Sequence, residues 1–306
     1  MKKILEVILV SFLIIGITAC QNSENSIKII VPNGIPAIAQ SYIEYEQEEN
    51  IFLVERVSGP SSLVAAFTSE SHDIIIAPIN LGANLYNKYS SYKLAAVITW
   101  SNLQLISREE IDIEQIDSRN IIAFGANAVP EMVIDYIFSS FTYQTEPVIS
   151  YQASSTQESF LSFMQDETSL AIVSEPVTSI ARTEIADLYV YDLLEFWQEF
   201  TGLDDFPQAG VFVHDETNKR EINLYLDELN LSSENVKINP LLTATNCESL
   251  DYPFEKSIIE SSIPNSHINY VLASDNKELI NDFLEMIFDF NKELIGSKIP
   301  DDDFYW

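Results

Sequence analysis

Short apolar runs that alternate with helical patterns constrain the fold of this chain more than any other feature of its sequence. The segments Ile27–Val31, Ile51–Val57 and Asp73–Ala77 are β-rich, and a stretch with helical spacing follows each of them. Strands that are apolar along their whole length are typical of a parallel sheet covered by helices on both faces. The alternation therefore predicts the α/β class.

The same alternation starts again near the middle of the chain. Ile121–Phe124 and Leu170–Val173 are further strand-like runs, and a later run leads back to the first unit. We therefore predict a lobe 1 made of residues 27–105 and 208–306, with a lobe 2 (106–207) inserted into it. Each lobe is expected to be a mainly parallel sheet flanked by helices. Two crossing segments would join the lobes and leave a ligand cleft between them.

The first 26 residues predict export and attachment to a membrane. Two lysines precede the apolar run Val7–Ile17, which is too short to span a bilayer, and Cys20 directly follows small residues in a pattern that resembles a lipobox. Residues 1–19 are then a signal peptide, Cys20 carries the lipid (including palmitate), and residues 20–26 form a tether. The protein would be anchored at the extracytoplasmic face of the cell membrane. An ordinary signal peptide followed by a chance cysteine is the alternative.

The composition excludes several classes of function. Acidic residues number 47 against 16 basic ones, for a formal net charge of −31 at pH 7. Nucleic acid is therefore not an expected partner, because binding to phosphates needs clustered Lys and Arg. With Cys20 acylated, Cys247 has no disulfide partner, and the three histidines lack metal-ligand spacing, so we expect no metal and no cofactor. The sequence holds neither a GxSxG nucleophile motif nor a glycine-rich phosphate loop, so we expect no enzyme.

Candidate ligand-binding residues follow the predicted strands and crossings, because the ligand crevice of an open sheet lies beyond the carboxyl ends of its strands. They are Asn33, Gly34, Asn80, Leu81, Trp100, Ser101 (with Asn102 next to it), Gly125, Asn127, Ser154, Ser174, Glu175 and Gln208. Amides and hydroxyls would hydrogen-bond a small polar solute while Trp100 stacks on it. Asn80 is the first choice for a ligand-binding residue. It follows a buried strand and Pro78, and the structure of such a turn gives little reason for an amide at this position. Structural roles are the alternative for the others: the glycines as turn formers, the serines as helix caps and Trp100 as core.

Five stretches of the chain carry a resemblance to a known family. They are Val31–Ala37, Asp73–Ala83 (with the pattern D-hydrophobic-A-P-x-N-x-G), Ser174–Pro176 (an E-P helix start), Gln208–Val211 and Ile295–Tyr305. Together they resemble the solute-binding proteins of ABC transporters of the nitrate, sulfonate and thiamine-precursor type. The last stretch is similar to the ending of a lipoprotein subfamily that is common in anaerobic bacteria.

The resemblance implies a type 2 periplasmic-binding-protein fold that closes on a small-molecule solute, with an ABC permease and ATPase as partners of a monomeric chain. It also implies that the loops at Asn33-Gly34, Asn80-Leu81, Gly125 and Ser174-Glu175 face the cleft. No arginine occurs in these loops to grip a sulfonate or nitrate, which favours a neutral or cationic heterocycle stacked on Trp100. Helix N-termini could still bind an anion without arginine. A ligand-sensing subunit without transport and a secreted hydrolase are the alternative functions.

Overall fold

A computed structural model describes residues 26–46 and 51–306. The predicted signal peptide, Cys20 and all but the last residue of the predicted tether lie outside the described residues. The described chain is a mixed α/β structure with two sheets flanked by helices, which confirms the predicted fold class. None of its described helices is both long enough and apolar enough to cross a membrane.

The described strands and helices follow the alternation seen in the sequence. The strands are β1 Ile27–Pro32, β2 Phe52–Val57, β3 Ile74–Pro78, β4 Tyr92–Trp100, β5 Gln104–Ser107, β6 Asn120–Phe124, β7 Val148–Ala153, β8 Leu170–Val173, β9 Tyr189–Asp192, β10 Pro207–His214 and β11 Ile268–Leu272. The helices are α1 Ile35–Ala39, α2 Ser41–Glu46, α3 Pro60–Ser69, α4 Ile79–Tyr89, α5 Val129–Ser140, α6 Thr156–Gln165, α7 Val177–Glu184, α8 Leu194–Thr201, α9 Lys219–Ile238, α10 Pro240–Ser249, α11 Lys256–Ser262 and α12 Lys277–Asn291. Short 3₁₀ turns complete the described chain.

The strands form a six-stranded sheet with the order β11-β4-β10-β3-β1-β2 and a five-stranded sheet with the order β7-β6-β8-β5-β9. Most strands of each sheet run in the same direction, as expected of a mainly parallel sheet, but both sheets also contain antiparallel pairs. In the first sheet β1 is parallel to β2 and β3, but β10 is antiparallel to β3 and β4, and β11 is antiparallel to β4. In the second sheet β6 is parallel to β7 and β8, while β5 is antiparallel to β8 and β9. The strand by which the chain enters the second sheet, β5, and the strand by which it returns to the first, β10, are both antiparallel to their neighbours.

The chain passes between the two sheets twice. It leaves the first sheet at Trp100, and β5 of the second sheet begins at Gln104, two residues before the predicted lobe boundary at 106. It returns after α8 and enters β10 at Pro207. Strand β9, a partly buried strand at the edge of the second sheet, was not identified from the sequence.

The first sheet is covered by helices on both faces, as its apolar strands predicted. Along β3 the side chain of Ile75 belongs to a core with α3, α4 and α12, whereas Ile74 and Ile76 belong to a core with α1, α2 and α9. Successive side chains of a strand point to opposite faces, so a strand needs apolar residues at every position when both faces are covered. Burial of each isoleucine side chain contributes about 1.5–3 kcal/mol to stability.

Candidate functional site

A cavity of about 670 Å³ lies between the two sheets, next to both connecting segments. Its walls come from the loops after β1 and β3 of the first sheet and the loops after β6, β7 and β8 of the second sheet. These loops lie at the carboxyl ends of parallel strands, where an open sheet leaves a crevice. The cavity therefore lies where a ligand cleft was predicted from the sequence.

Asn33, Gly34, Asn80 and Leu81 line the cavity from the first sheet. The side-chain amide of Asn33 donates a hydrogen bond to Ser58 Oγ at 2.9 Å. Gly34 has a φ of 106°, a value that favours glycine, and it starts α1 directly after β1. Asn80 is half-buried in the first turn of α4, and its side chain makes no hydrogen bond within the described part of the chain. Asn80 therefore lines the cavity with an amide that no described residue binds.

Ser174 and Glu175 line the cavity from the second sheet, between β8 and α7. The backbone N–H of Ser174 donates a hydrogen bond to Thr156 Oγ1 at 2.9 Å, which joins the starts of α6 and α7. Glu175 is only 3% exposed, and its Oε2 accepts a hydrogen bond from the backbone N–H of Ser179 at 3.0 Å. One carboxylate oxygen thus satisfies a backbone donor in the first turn of α7.

The connecting segments supply Asn102 and Gln208 to the cavity wall. Asn102 is buried and makes two hydrogen bonds to the backbone of Glu175. Its Oδ1 accepts from the Glu175 N–H at 2.8 Å, and its Nδ2 donates to the Glu175 carbonyl at 3.1 Å. Gln208 is half-buried, and its side chain has no hydrogen-bond partner among the residues that the structure describes. The outgoing segment therefore holds the Glu175 loop in place, and the return segment adds a free amide.

Trp100 does not line the cavity, so the expectation that it stacks on the ligand is wrong. Its side chain is 2% exposed within the core, and its Nε1–H donates to the carbonyl of Asn269 at 2.7 Å. The neighbouring Thr99 lines the cavity instead. Successive side chains of a strand point to opposite faces, and at this end of β4 the face of Thr99 is the one on the cavity.

Ser101, Gly125, Asn127 and Ser154 also lie outside the cavity lining, and their local contacts explain why the sequence selected them. The N–H of Ser101 donates to the carbonyl of Phe206 at 3.0 Å, which pairs the two connecting segments. Gly125 and Asn127 have φ values of 83° and 54°, as turn residues do. The N–H of Asn127 donates to the carboxylate of Glu131, one turn further along.

Ser154 is bound by its own helix and is not directed at the cavity. Its N–H and hydroxyl donate to Glu158 Oε2 at 2.7 and 2.5 Å. These two hydrogen bonds join Ser154 to the first turn of α6. For these four residues the structural alternative is the one that the contacts favour. A residue at the end of a strand can serve the turn itself as well as a ligand.

Several lining residues were not selected from the sequence. They are Thr99, Leu103, Phe124, Pro130, Thr156, Gln157, Phe254 and Phe283, among others. Thr156 and Gln157 begin α6 and could have been found by extending the strand-end rule by two residues. Phe254 and Phe283 come from the C-terminal helical region, far along the chain from the strands they approach. No local pattern marks an aromatic residue that reaches the cleft through tertiary packing.

Glu175 is the one ionisable side chain among the described residues that line the cavity. Burial raises the pKa of its carboxyl to about 7, because a carboxylate removed from water is destabilised. The hydrogen bond from Ser179, the charge of Arg182 and the amide of Asn265 lower the pKa, but less than burial raises it. Within residues 26–46 and 51–306, no group of three or more His, Cys, Asp or Glu side chains could hold a metal ion.

Solved structures with the same architecture include an ABC transporter from Parabacteroides distasonis, with a TM-score of 0.80 and 23% identity over 92% of this chain and 99% of that one. The periplasmic aliphatic sulphonate-binding protein SsuA from Escherichia coli matches with a TM-score of 0.67 and 11% identity over 93% of this chain and 92% of that one. The zinc-bound ligand-binding component of an ABC-type import system from Staphylococcus aureus matches with a TM-score of 0.63 and 12% identity over 92% and 96%. No family model and no curated protein match the sequence.

The two sheets, the double crossing and the cavity between them define a periplasmic-binding-protein fold, which confirms the fold implied by the sequence resemblance. Among the solved structures of this fold that the chain matches are a periplasmic sulphonate-binding protein and the ligand-binding component of an ABC-type import system.

Proposed function

We propose that this protein captures a small molecule between its two lobes outside the cytoplasm and delivers it to an ABC importer. The observation that carries the proposal is the cavity of about 670 Å³ whose walls come from both sheets and both connecting segments. Only when the two halves approach each other can a solute contact both walls at once. Solute binding then favours a closed arrangement by its additional contacts.

The chemistry of the cavity wall supports a small, partly polar solute. Pro, Ile, Leu, Val, Ala and Phe side chains form most of the lining, and the free amides of Asn80 and Gln208 are placed among them. Such a wall binds the apolar body of a molecule while a few polar groups fix its orientation. We propose a neutral or cationic heterocycle, now placed against Phe124 or Phe254, because Trp100 lies in the core.

The proposed partners are an ABC permease and ATPase, and the chain is proposed to act as a monomer. Attachment to the membrane would use a lipid on Cys20, followed by the tether of residues 20–26. Mass spectrometry of the protein from a membrane fraction tests this point: the N-terminal peptide is expected to begin at acylated Cys20. A Cys20→Ala variant should be released from the membrane. An unmodified Cys20, or unchanged membrane attachment of the variant, would contradict the anchoring.

Solute capture is tested by native mass spectrometry of the freshly purified protein, followed by small-angle scattering with and without the solute that is found. We expect a one-to-one complex and a smaller radius of gyration with solute. Uptake of that solute in cells that lack the protein or its neighbouring transporter separates import from sensing. Turnover of the solute would favour a hydrolase instead, and an unchanged radius at saturating solute would contradict closure.

A further inference from the structure

Glu175 carries a buried carboxylate oxygen that accepts no hydrogen bond from the described part of the chain. Its Oε2 accepts from the Ser179 N–H at 3.0 Å. The Ser179 hydroxyl and the Asn265 amide are close enough to lower the pKa of the carboxyl, but no donor of the described residues is in hydrogen-bonding geometry at Oε1. Buried polar atoms are nearly always satisfied, and a buried charged atom that is not satisfied is costly. Glu175 is also one of the residues that line the cavity.

No cation of the described chain is paired with Glu175. The salt bridges within residues 26–46 and 51–306 do not include it, and Arg182 is exposed on the far part of α7. No other ionisable side chain among the described residues lines the cavity. A carboxylate in this position therefore faces neutral amides and apolar walls. With its pKa raised to about 7, the carboxyl ionises near neutral pH, and a cation in the cavity would favour the ionised form.

Buried hydrogen bonds hold Glu175 in one position. Asn102 binds the N–H and carbonyl of Glu175, at 2.8 and 3.1 Å. Gln104 Nε2 lies 3.4 Å from Asn102 Oδ1 and its Oε1 accepts from the Thr178 hydroxyl at 2.8 Å, so the bonds continue into α7. Asn102 thus holds the Glu175 backbone, and the Ser179 N–H holds its carboxylate. A group held in this way loses little freedom when a ligand binds, which favours affinity.

We propose that Glu175 Oε1 accepts a hydrogen bond from a protonated nitrogen of the solute, so that the solute class is an organic cation with an N–H group, such as an amine, an amidine or a protonated heterocycle. The inference rests on the proposed function as a solute-binding protein and specifies its ligand. Phe124 and Phe254 are half-buried in the cavity wall, and aromatic faces attract cations. A charge-assisted hydrogen bond and an apolar wall then recognise different ends of one molecule.

The test compares compounds of the same shape that differ in charge. Benzamidinium, benzamide and benzoate are offered to the protein, together with a panel of other N–H cations and their neutral and anionic counterparts. Thermal stabilisation finds the binders, and calorimetry measures their affinity. We expect cations to stabilise the protein, neutral counterparts to do so more weakly and anions not at all.

Glu175→Gln keeps the shape of the side chain and removes its charge. The affinity for the bound cations should fall by about ten- to hundredfold in this variant, as for loss of a hydrogen bond to a charged group. Glu184→Gln makes the same change on the same helix at an exposed position and should bind like the unmodified protein. The unfolding temperature of each variant without ligand shows that it is folded, and Glu175→Ala repeats the test without a replacement amide.

Different results separate this inference from the proposed function. If anions are the binders, if none of the cations binds, or if Glu175→Gln binds cations as tightly as Glu184→Gln, the ligand assignment is overturned. A co-purified solute without a protonatable nitrogen also overturns it. In each of these cases a solute that closes the protein leaves the binding function standing. If neither probes nor a co-purified solute bind, both fail.

Discussion

Replacement of Asn102 by alanine tests whether one buried side chain joins the outgoing connecting segment to the second sheet. Asn102 is 6% exposed and makes two hydrogen bonds to the Glu175 backbone, at 2.8 and 3.1 Å. Asn102→Ala removes both and leaves a buried N–H and a buried carbonyl without partners. Each such group costs about 1–3 kcal/mol. Because cavity water can reach part of the site, we expect a loss of about 2–4 kcal/mol in the free energy of unfolding.

Urea unfolding followed by fluorescence measures this loss from the shift of the midpoint at constant slope. Asn33→Ala is the matched control, because Asn33 lines the same cavity but makes its 2.9 Å hydrogen bond to Ser58 at an exposed position. We expect the control to lose about 0.5 kcal/mol or less, as surface substitutions usually do. The inference that Asn102 and Glu175 connect the outgoing segment to the second sheet is wrong if the free energy of unfolding of Asn102→Ala falls by less than about 1 kcal/mol, or by no more than that of the control.

Three other predictions address the ligand, the core and the pH dependence of stability. Asn80→Ala should weaken solute binding by about 1–3 kcal/mol in calorimetry and leave the unfolding temperature nearly unchanged, and unchanged affinity would remove Asn80 from the site. Trp100→Phe should lower stability by about 1–3 kcal/mol in urea unfolding, because the bond to the Asn269 carbonyl is lost. Its solute affinity should not change, and a large loss of affinity would argue for contact with the solute. The pKa of His267 is raised although burial opposes this, because Asp192 accepts its hydrogen bond at 2.8 Å, with Asp205 nearby. The stabilisation is therefore fully present below the ordinary histidine pKa and is lost as pH rises through the raised value. His267→Gln should remove this part of the pH dependence, and an identical pH profile would contradict it.

The parts of the site that the sequence predicted follow from topology. Asn33, Gly34, Asn80, Ser174 and Glu175 all come directly after apolar strands, and the structure places them on one cavity. The strand-end rule needs only the existence and order of strands, which the apolar runs reveal. It cannot tell which residues after a strand face the cleft and which serve the turn. Asn127 and Ser154 belong to the second kind, because a glutamate one turn later binds each of them.

The orientation of Trp100 depends on tertiary pairing and not on local pattern. Trp100 pairs with Pro207 and Thr99 with Ala209, and the register between β4 and β10 shifts at this point. A shift of one residue reverses which side chains face the cleft. A sequence-based argument could identify Trp100 as large and near the crossing, but not the side of the sheet on which it lies.

The sequence by itself determined the α/β class, the insertion of one unit into another and most of the loops that border the cleft. These features depend on apolar periodicity and chain order, which are local properties. Only the tertiary structure decided that β10 and β5 run antiparallel to their neighbours, that Phe254 and Phe283 reach the cavity, and that Glu175 is left with a free oxygen. The physical reason is that each of these depends on contacts between residues distant in the chain. The hydrogen-bond state of one buried oxygen is set by everything packed around it.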